Sequence, residues 1–285
     1  MNAESNDPPI FLNPDDDAEM EAAWKRARQT FRYFWRELAW EYRRIIPGLD
    51  MACVKVMFRD PPEIDHGDDP SVEHMWISDV QFDGQHVTGT LINSPGWLQS
   101  VSEGDDVKVK PGQVSDWMYA IANQVYGGYT VQLLRSRMGG KERKQHDAAW
   151  GLDFGDPTMV RLVPPDSIGA APVKSGMLSR FFPAKQIPQT VSEVSKFEHP
   201  MSENMGDSLA GSLKEDPSFL TATDDRGFTF LHQLALAGSA KGVAVMLKHG
   251  ADPNAVAGNG MTAMRLAKSL GWKKVMALLE SAGGK

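Results

Sequence analysis

The residues with the clearest capacity for chemistry lie in one acidic loop, residues 60–74 (DPPEIDHGDDPSVEH). The loop holds six acidic residues and two histidines, and it contains no Lys or Arg. Carboxylate and imidazole groups together suit divalent cations, and the candidate metal ligands are Asp65, His66, Asp68 and His74. Their spacing matches no metal-ligand template, such as two histidines one helical turn apart. A solvated acidic loop without a metal is therefore the simpler interpretation.

The same loop could instead recognise a protein. Three of its acidic residues, Asp65, Asp68 and Asp69, would then form a negative patch that docks a basic surface, for example the nucleic-acid site of a nuclease. Electrostatic complementarity of this kind mainly sets the association rate and the specificity of a complex. We predict that these three carboxylates contact a partner.

A second group of residues could do acid–base chemistry. His74 and Asp116 each stand near a tryptophan in the sequence, and a His–Asp pair in an apolar pocket can act as general acid and base. Alternatively, Asp116 caps a turn and the tryptophans pack in the core, since a hydrogen-bonded buried polar group needs no catalytic role. The sequence has no nucleophile elbow and no phosphate-binding loop, and Cys53 fits a small core hydrophobe. It thus predicts no catalytic residue, no metal and no cofactor.

Charge and composition narrow the class of protein further. A net charge of −7 and a pI near 5.5 argue against a dedicated nucleic-acid-binding protein, which usually carries a basic patch. The single cysteine excludes a disulfide framework within the chain and a Cys-based zinc cluster. No apolar run approaches the roughly 18 residues that span a membrane, and the acidic N-terminal segment does not resemble a signal peptide. We predict a cytoplasmic protein that binds neither nucleic acid nor membranes.

The elements that position these residues begin with a long helix. Aspartates at 15–17 stand where a helix N-terminus favours negative charge, and Pro47-Gly48 ends the segment. Apolar residues three or four apart form one stripe, which contains Met20, Trp24, Ala27, Phe31, Phe34, Trp35, Leu38, Tyr42 and Ile45. The other face is basic, and we expect its arginines to be solvated. Trp40 lies off the stripe.

The pattern then changes to a period of about two, which indicates β-strands. The predicted strands are 51–58, 74–82, 86–92, 106–110 and 129–134. A long helix followed by consecutive strands is typical of an α+β fold with a mainly antiparallel sheet, and the apolar stripe of the helix should cover one face of that sheet. A short charged helix is expected within 139–156.

The C-terminal part of the chain contains an internal repeat with a constant period. The paired positions are Gly227/Gly260, Thr229/Thr262, Leu231/Met264, Gly238/Gly271 and Gly250/Gly283. A turn and two short helices that recur about every 33 residues resemble the ankyrin family. Thr229 and His232 match its Thr-Pro-Leu-His motif, with Phe230 in place of Pro. The second copy has Ala263 for Pro and Arg265 for His, which fits a terminal repeat.

Two copies are too few to bury a continuous core, and residues 212–225 resemble the second half of a degenerate earlier copy. The ankyrin array is therefore placed at 203–285. The resemblance implies a binding scaffold without catalysis and a structural role for His232. It also implies that the finger turns and first helices supply the partner contacts, which are Arg226, Phe228, Gln233, Asn259 and Met261.

Residues 20–138 are similar to the bacterial YegJ-like family, whose biochemical activity is not established. The matching motifs are His74-Met75-Trp76, Asn93-Ser94-Pro95, Ser115-Asp116-Trp117-Met118 and Gly127-Gly128. The predicted organisation is a disordered lead at 1–14, a YegJ-like α+β domain at 15–163, a linker at 164–202 with a short helix near 191–197, and the all-α ankyrin array at 203–285.

Together these features predict a protein-binding protein and not an enzyme. The specific hypothesis is a bacterial immunity protein that occludes the active site of a secreted toxin, of the kind delivered between cells by type VI secretion. It rests on analogy, because small domains of similar build and ankyrin proteins both occur among such antidotes. One alternative is a small hydrolase or metal-dependent enzyme that uses His74 and Asp116. Another is an adaptor or chaperone for a secreted effector.

Overall fold

The computed structural model describes residues 17–168 and 189–285, so the predicted lead at 1–14 and part of the predicted linker lie outside the described residues. The described chain divides into two compact units. The first comprises residues 17–34, 46–82 and 86–162, and the second comprises 35–45, 83–85 and the described residues from 163 onward. The second unit therefore takes in two short stretches of the N-terminal half of the sequence.

A six-stranded antiparallel sheet forms the centre of the first unit, as far as the chain is described. Its strands are β1 (Met51–Arg59), β2 (Val72–Phe82), β3 (Val87–Leu91), β4 (Asp106–Val109), β5 (Val114–Ile121) and β6 (Gln124–Gly127). They lie in the order β4-β3-β2-β1-β5-β6. The first four agree with predicted strands to within a few residues, so the predicted combination of a helix with an antiparallel sheet is confirmed.

Helices flank this sheet. They are α1 (Ala18–Glu41), α2 (Tyr129–Arg137) and α3 (Gly140–Trp150). The carboxylate of Asp17 accepts two backbone N–H groups of the first turn of α1 at 3.1 Å, which is the arrangement of an N-cap. The apolar stripe of α1 packs on the sheet as predicted, because the ring of Phe31 meets the ring of Phe82 edge-on at 5.6 Å.

The prediction of a strand at 129–134 is wrong, because this segment begins α2. The helix starts where Gly128 adopts a left-handed φ of 72°. The buried carboxylate of Asp116, on β5, accepts the N–H groups of Tyr129 at 2.9 Å and Thr130 at 2.7 Å. A cap supplied by a distant strand thus overrides the β-propensity of an aromatic and β-branched sequence.

The charged helix expected within 139–156 is present as α3, and the segment after it closes over the first unit. Phe154 is 1% exposed and lies in one core cluster with Cys53 and Met118. The N–H of Val125, on β6, donates to the carbonyl of Asp153 at 3.0 Å. The run from Trp150 onward is therefore part of the fold of this unit.

The second unit is helical. Its helices are α4 (Val191–Val194), α5 (Pro200–Glu215), α6 (Phe230–Ala237), α7 (Ala240–Lys248), α8 (Ala263–Leu270) and α9 (Lys273–Ser281). Their core includes Trp40, which is 1% exposed and clusters with Leu209, Leu234 and Met246. Trp40 lies off the stripe of α1 because it belongs to this core instead.

Buried polar contacts hold the last turns of α1 in the second unit. Glu37 is 2% exposed and lies 3.3 Å from Nε2 of His199, whose Nδ1 accepts the N–H of Met201 at 3.1 Å. Arg44 pairs with Glu37 at 3.3 Å. Arg36 is also 2% exposed and donates to a backbone carbonyl at 3.1 Å. The expectation that the arginines of this helix are solvated is therefore wrong for Arg36.

We expect Asp116→Asn to lower the free energy of unfolding by about 2 to 3 kcal/mol. The carboxylate accepts four hydrogen bonds, and an amide offers only one oxygen for them, so buried donors lose their acceptor. Urea unfolding followed by circular dichroism measures the change. The exposed Asp69→Asn is the matched control and should change stability by less than about 0.5 kcal/mol. Equal stability of the two variants would contradict the capping role.

Glu37 should make the stability of the second unit depend on pH. Burial raises the pKa of this carboxyl, but the hydrogen bond from His199 and the charges of Arg44 and Arg36 outweigh it and leave the pKa below its usual value. A carboxyl of this kind contributes stability above its unfolded pKa of about 4.3 and loses it as the pH falls through the folded pKa. We expect Glu37→Gln to be less stable at pH 7 and to show a flatter loss of stability below pH 5, measured by urea unfolding. Glu280→Gln, at an exposed position, should retain the wild-type pH profile.

Candidate protein-interaction site

Two helix–turn–helix segments of the second unit share one frame. Thr229 and Thr262 are the N-cap residues of α6 and α8, and their hydroxyl oxygens accept N–H groups in the first turns of those helices. Gly238 and Gly271 end the same helices in the left-handed conformation. The two members of each pair are separated by one repeat length, so the sequence period corresponds to a structural period.

His232 joins a turn to a helix within this frame. Its Nδ1 accepts the N–H of Thr229 at 3.1 Å and lies 2.7 Å from the Thr229 hydroxyl, while its Nε2 donates to the carbonyl of Ala255 at 2.9 Å. The ring is fully buried, and burial lowers its pKa. Both ring nitrogens are occupied by the fold, which agrees with a structural role and leaves neither free for catalysis.

Two of the expected partner contacts are buried. Phe228 is 1% exposed, with the guanidinium of Arg226 4.8 Å from its ring centroid. Met261 is 8% exposed, and an added Cβ on Gly84, which has a φ of +89°, would lie 3.2 Å from its Cε. The side chains of Phe228 and Met261 are therefore almost entirely buried within the unit, and their contact with a partner stays a prediction.

A network of side chains connects two further candidates. Arg43 donates to Gln233 Oε1 at 3.0 Å, and Gln233 Nε2 donates to Asp224 at 3.2 Å. Asp224 also receives the guanidinium of Arg226 at 2.9 Å. Burial and the positive charge of Arg226 lower the pKa of Arg43 to about 10. Gln233 is half-buried inside this network, whereas Arg226 lies at its exposed edge.

Asn259 is bound to the turn between β2 and β3. Its Nδ2 donates to the carbonyl of Asp83 at 2.8 Å, and Gln85 Nε2 donates to the Asn259 carbonyl at 3.4 Å. Gly84, between them, comes so close to α8 that an added Cβ would lie 2.4 Å from Cδ2 of Leu266. The turn 83–85 thus contacts the second copy of the repeat at Asn259 and Leu266.

The acidic loop divides into structural and exposed carboxylates. Asp60 accepts the N–H groups of Gln99 and Ser100 at 2.7 and 3.0 Å, and Glu73 accepts the N–H of Leu98 at 2.9 Å. These two buried residues hold the segment that follows β3. The exposed carboxylates are Glu63 and the three residues predicted to contact a partner, Asp65, Asp68 and Asp69.

The structure does not assemble the candidate metal ligands. His66 Nε2 lies 3.1 Å from Asp60, and the ring of His74 stacks on Trp24 at 4.6 Å. Within residues 17–168 and 189–285, no group of three or more His, Cys, Asp or Glu side chains could hold a metal ion.

The candidate acid–base pair is not formed either. Both oxygens of Asp116 accept hydrogen bonds from the start of α2, as the capping interpretation predicts. His74 Nδ1 is shielded from solvent and has no hydrogen-bond partner among the described residues. Burial lowers the pKa of His74, and the charges of Lys55 and Arg28, two residues that sequence reasoning missed, lower it further. Lys55 could have been singled out from the sequence, because a lysine within the apolar pattern of a predicted strand is unusual.

Among the residues that the structure describes, no helix has the length and apolar character required to cross a membrane.

Comparison with known proteins places the chain among bacterial relatives. The family model "Uncharacterized protein conserved in bacteria (DUF2314)" matches residues 17–154. The Escherichia coli K12 protein "Uncharacterized protein YegJ" is 38% identical over 73 residues, which are 26% of this chain and 46% of that protein. A Neisseria meningitidis serogroup B protein named "Putative ankyrin repeat protein" is 40% identical over 272 residues, which are 95% of this chain and 96% of that protein.

The resemblance to the YegJ-like family is thereby confirmed, and a relative named for ankyrin repeats spans nearly the whole chain. The relatives carry no enzyme name. The chain belongs to the same family as the Neisseria meningitidis ankyrin repeat relative and carries a DUF2314 domain at residues 17–154.

Proposed function

We propose that this chain is a protein-binding protein whose residues 203–285 form an ankyrin array. One observation carries the proposal: two helix–turn–helix segments repeat with the same caps, one sequence period apart. The name of the relative that is 40% identical supports the same conclusion. Ankyrin arrays stack short repeats into a continuous scaffold that presents a binding surface.

The helix before these two segments supports a third, degenerate repeat. Leu209 and Leu213 of α5 are buried in the same core as Leu234 of α6 and Val243 of α7. An array of three units can bury a continuous core, which two units cannot. The domain boundaries proposed from the sequence, 15–163 and 203–285, remain part of this proposal.

The specific function that we propose is immunity in the bacterial cytoplasm, in which the chain sequesters a secreted toxin by covering its active site. The mechanism that we propose is occlusion, because the candidate acid–base residues His74 and Asp116 do not form a pair in the described part of the chain. The acidic loop supplies an exposed patch without a compensating Lys or Arg between residues 60 and 74. Such a patch is suited to a basic active site, for example that of a nuclease.

The contacts proposed for this function are the exposed members of the predicted set. On the acidic loop they are Asp65, Asp68 and Asp69, and on the second unit Arg226 is the most accessible member. Gln233 and Asn259 are half-buried and hydrogen-bonded within the unit, so we assign them to positioning the turns.

The proposal predicts tight binding to a secreted protein encoded beside the gene for this chain. Isothermal titration of the purified pair should give a one-to-one complex, and deletion of the gene should make cells sensitive to that protein. Neutralising Asp65, Asp68 and Asp69 to Asn should weaken the complex about tenfold or more, equivalent to about 1.4 kcal/mol, mainly by slowing association.

A matched variant tests whether the position of the charges matters. Glu21, Glu215 and Glu280 are exposed carboxylates elsewhere in the chain, and their replacement by Gln changes the net charge by the same amount. This variant should bind like the wild type. If neither gene deletion nor titration reveals an effect of the neighbouring secreted protein, the immunity function is wrong; equal weakening by both variants would remove the acidic loop as the contact site.

A further inference from the structure

The register of the sheet in the first unit places a lysine beside a histidine and an aromatic ring. Lys55 on β1 pairs with Trp76 on β2, and Met57 pairs with His74. Side chains two residues apart on a strand share a face, so Lys55 and His74 are diagonal neighbours on one face. Asp116, on β5, pairs with Lys55 from the other side.

The ammonium group of Lys55 lacks a hydrogen-bond acceptor within the described residues. It lies 5.6 Å from the centroid of the Trp76 ring, which is a cation–π contact. Asp116 is the neighbouring carboxylate, but its oxygens accept four hydrogen bonds from Trp117, Tyr129 and Thr130. Lys55 is half-buried, and burial lowers its pKa.

His74 is stacked and also has a nitrogen without a partner. Its ring lies on the ring of Trp24 with centroids 4.6 Å apart and planes inclined by 15°. Nδ1 is shielded from solvent, and no hydrogen bond to it exists within the described residues. Burial, followed by the positive charges of Lys55 and Arg28, lowers the pKa of His74 to about 4.

Arg28 completes the group. It follows Trp24 by four residues on α1, so the two side chains share a face of the helix. Its guanidinium donates to the carbonyl of Val114 at 3.1 Å and forms no ion pair within residues 17–168 and 189–285. The charges of Lys55 and Arg28 thus act on His74 beside two indole rings, and the carboxylate paired with Lys55 across the sheet already accepts four hydrogen bonds.

Basic side chains beside aromatic rings are the composition expected of a site that binds a negatively charged group. A cation without a counter-ion costs free energy where it is partly removed from solvent. An ammonium group together with a guanidinium group forms short, strong hydrogen bonds to carboxylate or phosphate oxygens. We propose that Arg28, Lys55 and His74, walled by Trp24 and Trp76, bind a small ligand through an oxyanion, either a phosphate or a carboxylate group. The site lies wholly in the first unit and does not depend on the protein-binding function proposed above.

Nuclear magnetic resonance of the full chain tests this site directly. Inorganic phosphate and acetate are titrated separately at pH 6.5 and constant ionic strength, and the indole N–H signals of Trp24 and Trp76 are followed after assignment with Trp24→Phe and Trp76→Phe. We expect saturable shifts of both signals with at least one of the two anions. Saturation by phosphate alone identifies a phosphate site, and saturation by acetate alone identifies a carboxylate site.

Two variants and a control make the outcome decisive. Arg28→Gln, at an exposed position of α1, and Lys55→Gln should each weaken anion affinity at least tenfold, whereas the exposed Lys25→Gln should leave it unchanged. Because a bound anion favours the imidazolium, the apparent pKa of His74 should rise when the anion is present, and this rise should vanish in Arg28→Gln. Absence of saturation with both anions, or unchanged affinity in Arg28→Gln, would overturn the proposal.

Discussion

The first unit depends on one buried carboxylate. Asp116 is fully removed from solvent, and a charge in that position is tolerable only with several donors around it. The donors are the N–H groups at the start of α2, the Thr130 hydroxyl and the N–H of Trp117. The requirement fixes where β6 ends and α2 begins. Among the described residues it also leaves the neighbouring Lys55 without a hydrogen-bonded counter-ion, so a constraint of folding produces the charged group on which the proposed ligand site depends.

The cap that Asp116 supplies to α2 also separates the elements that could be predicted from the sequence from those that could not. Strands β1 to β4 could be predicted because their apolar residues alternate or run in short blocks between turn residues. Strand β5 is buried at nearly every position, so it has no alternation to detect. Residues 129–134 carry strand-forming side chains, but they are helical, and the carboxylate of Asp116, more than a dozen residues away, accepts the N–H groups at the start of the helix. A cap from a distant strand leaves no local pattern.

The candidate interaction site also contains some features that the sequence predicts and others that it does not. The sequence period, the capping threonines and the role of His232 follow from short-range spacing, and the structure contains them. Gly84, which lies far away in the sequence, comes close to the buried Met261, and Trp40 packs with Leu209 in the second unit. Such contacts join distant segments, so composition and periodicity could not distinguish a contact residue from a core residue at these positions.

Basic and acidic residues are unevenly distributed along the chain. Residues 226–285 contain eight Lys or Arg and two acidic residues, whereas residues 60–74 contain six acidic residues and no Lys or Arg. At physiological salt, charges act over about 8 Å, so each segment responds to the surface directly against it and not to the net charge of −7. Residues 60–74 therefore attract a basic surface, and residues 226–285 attract an acidic one. The net charge of the whole chain does not show this difference between the two segments.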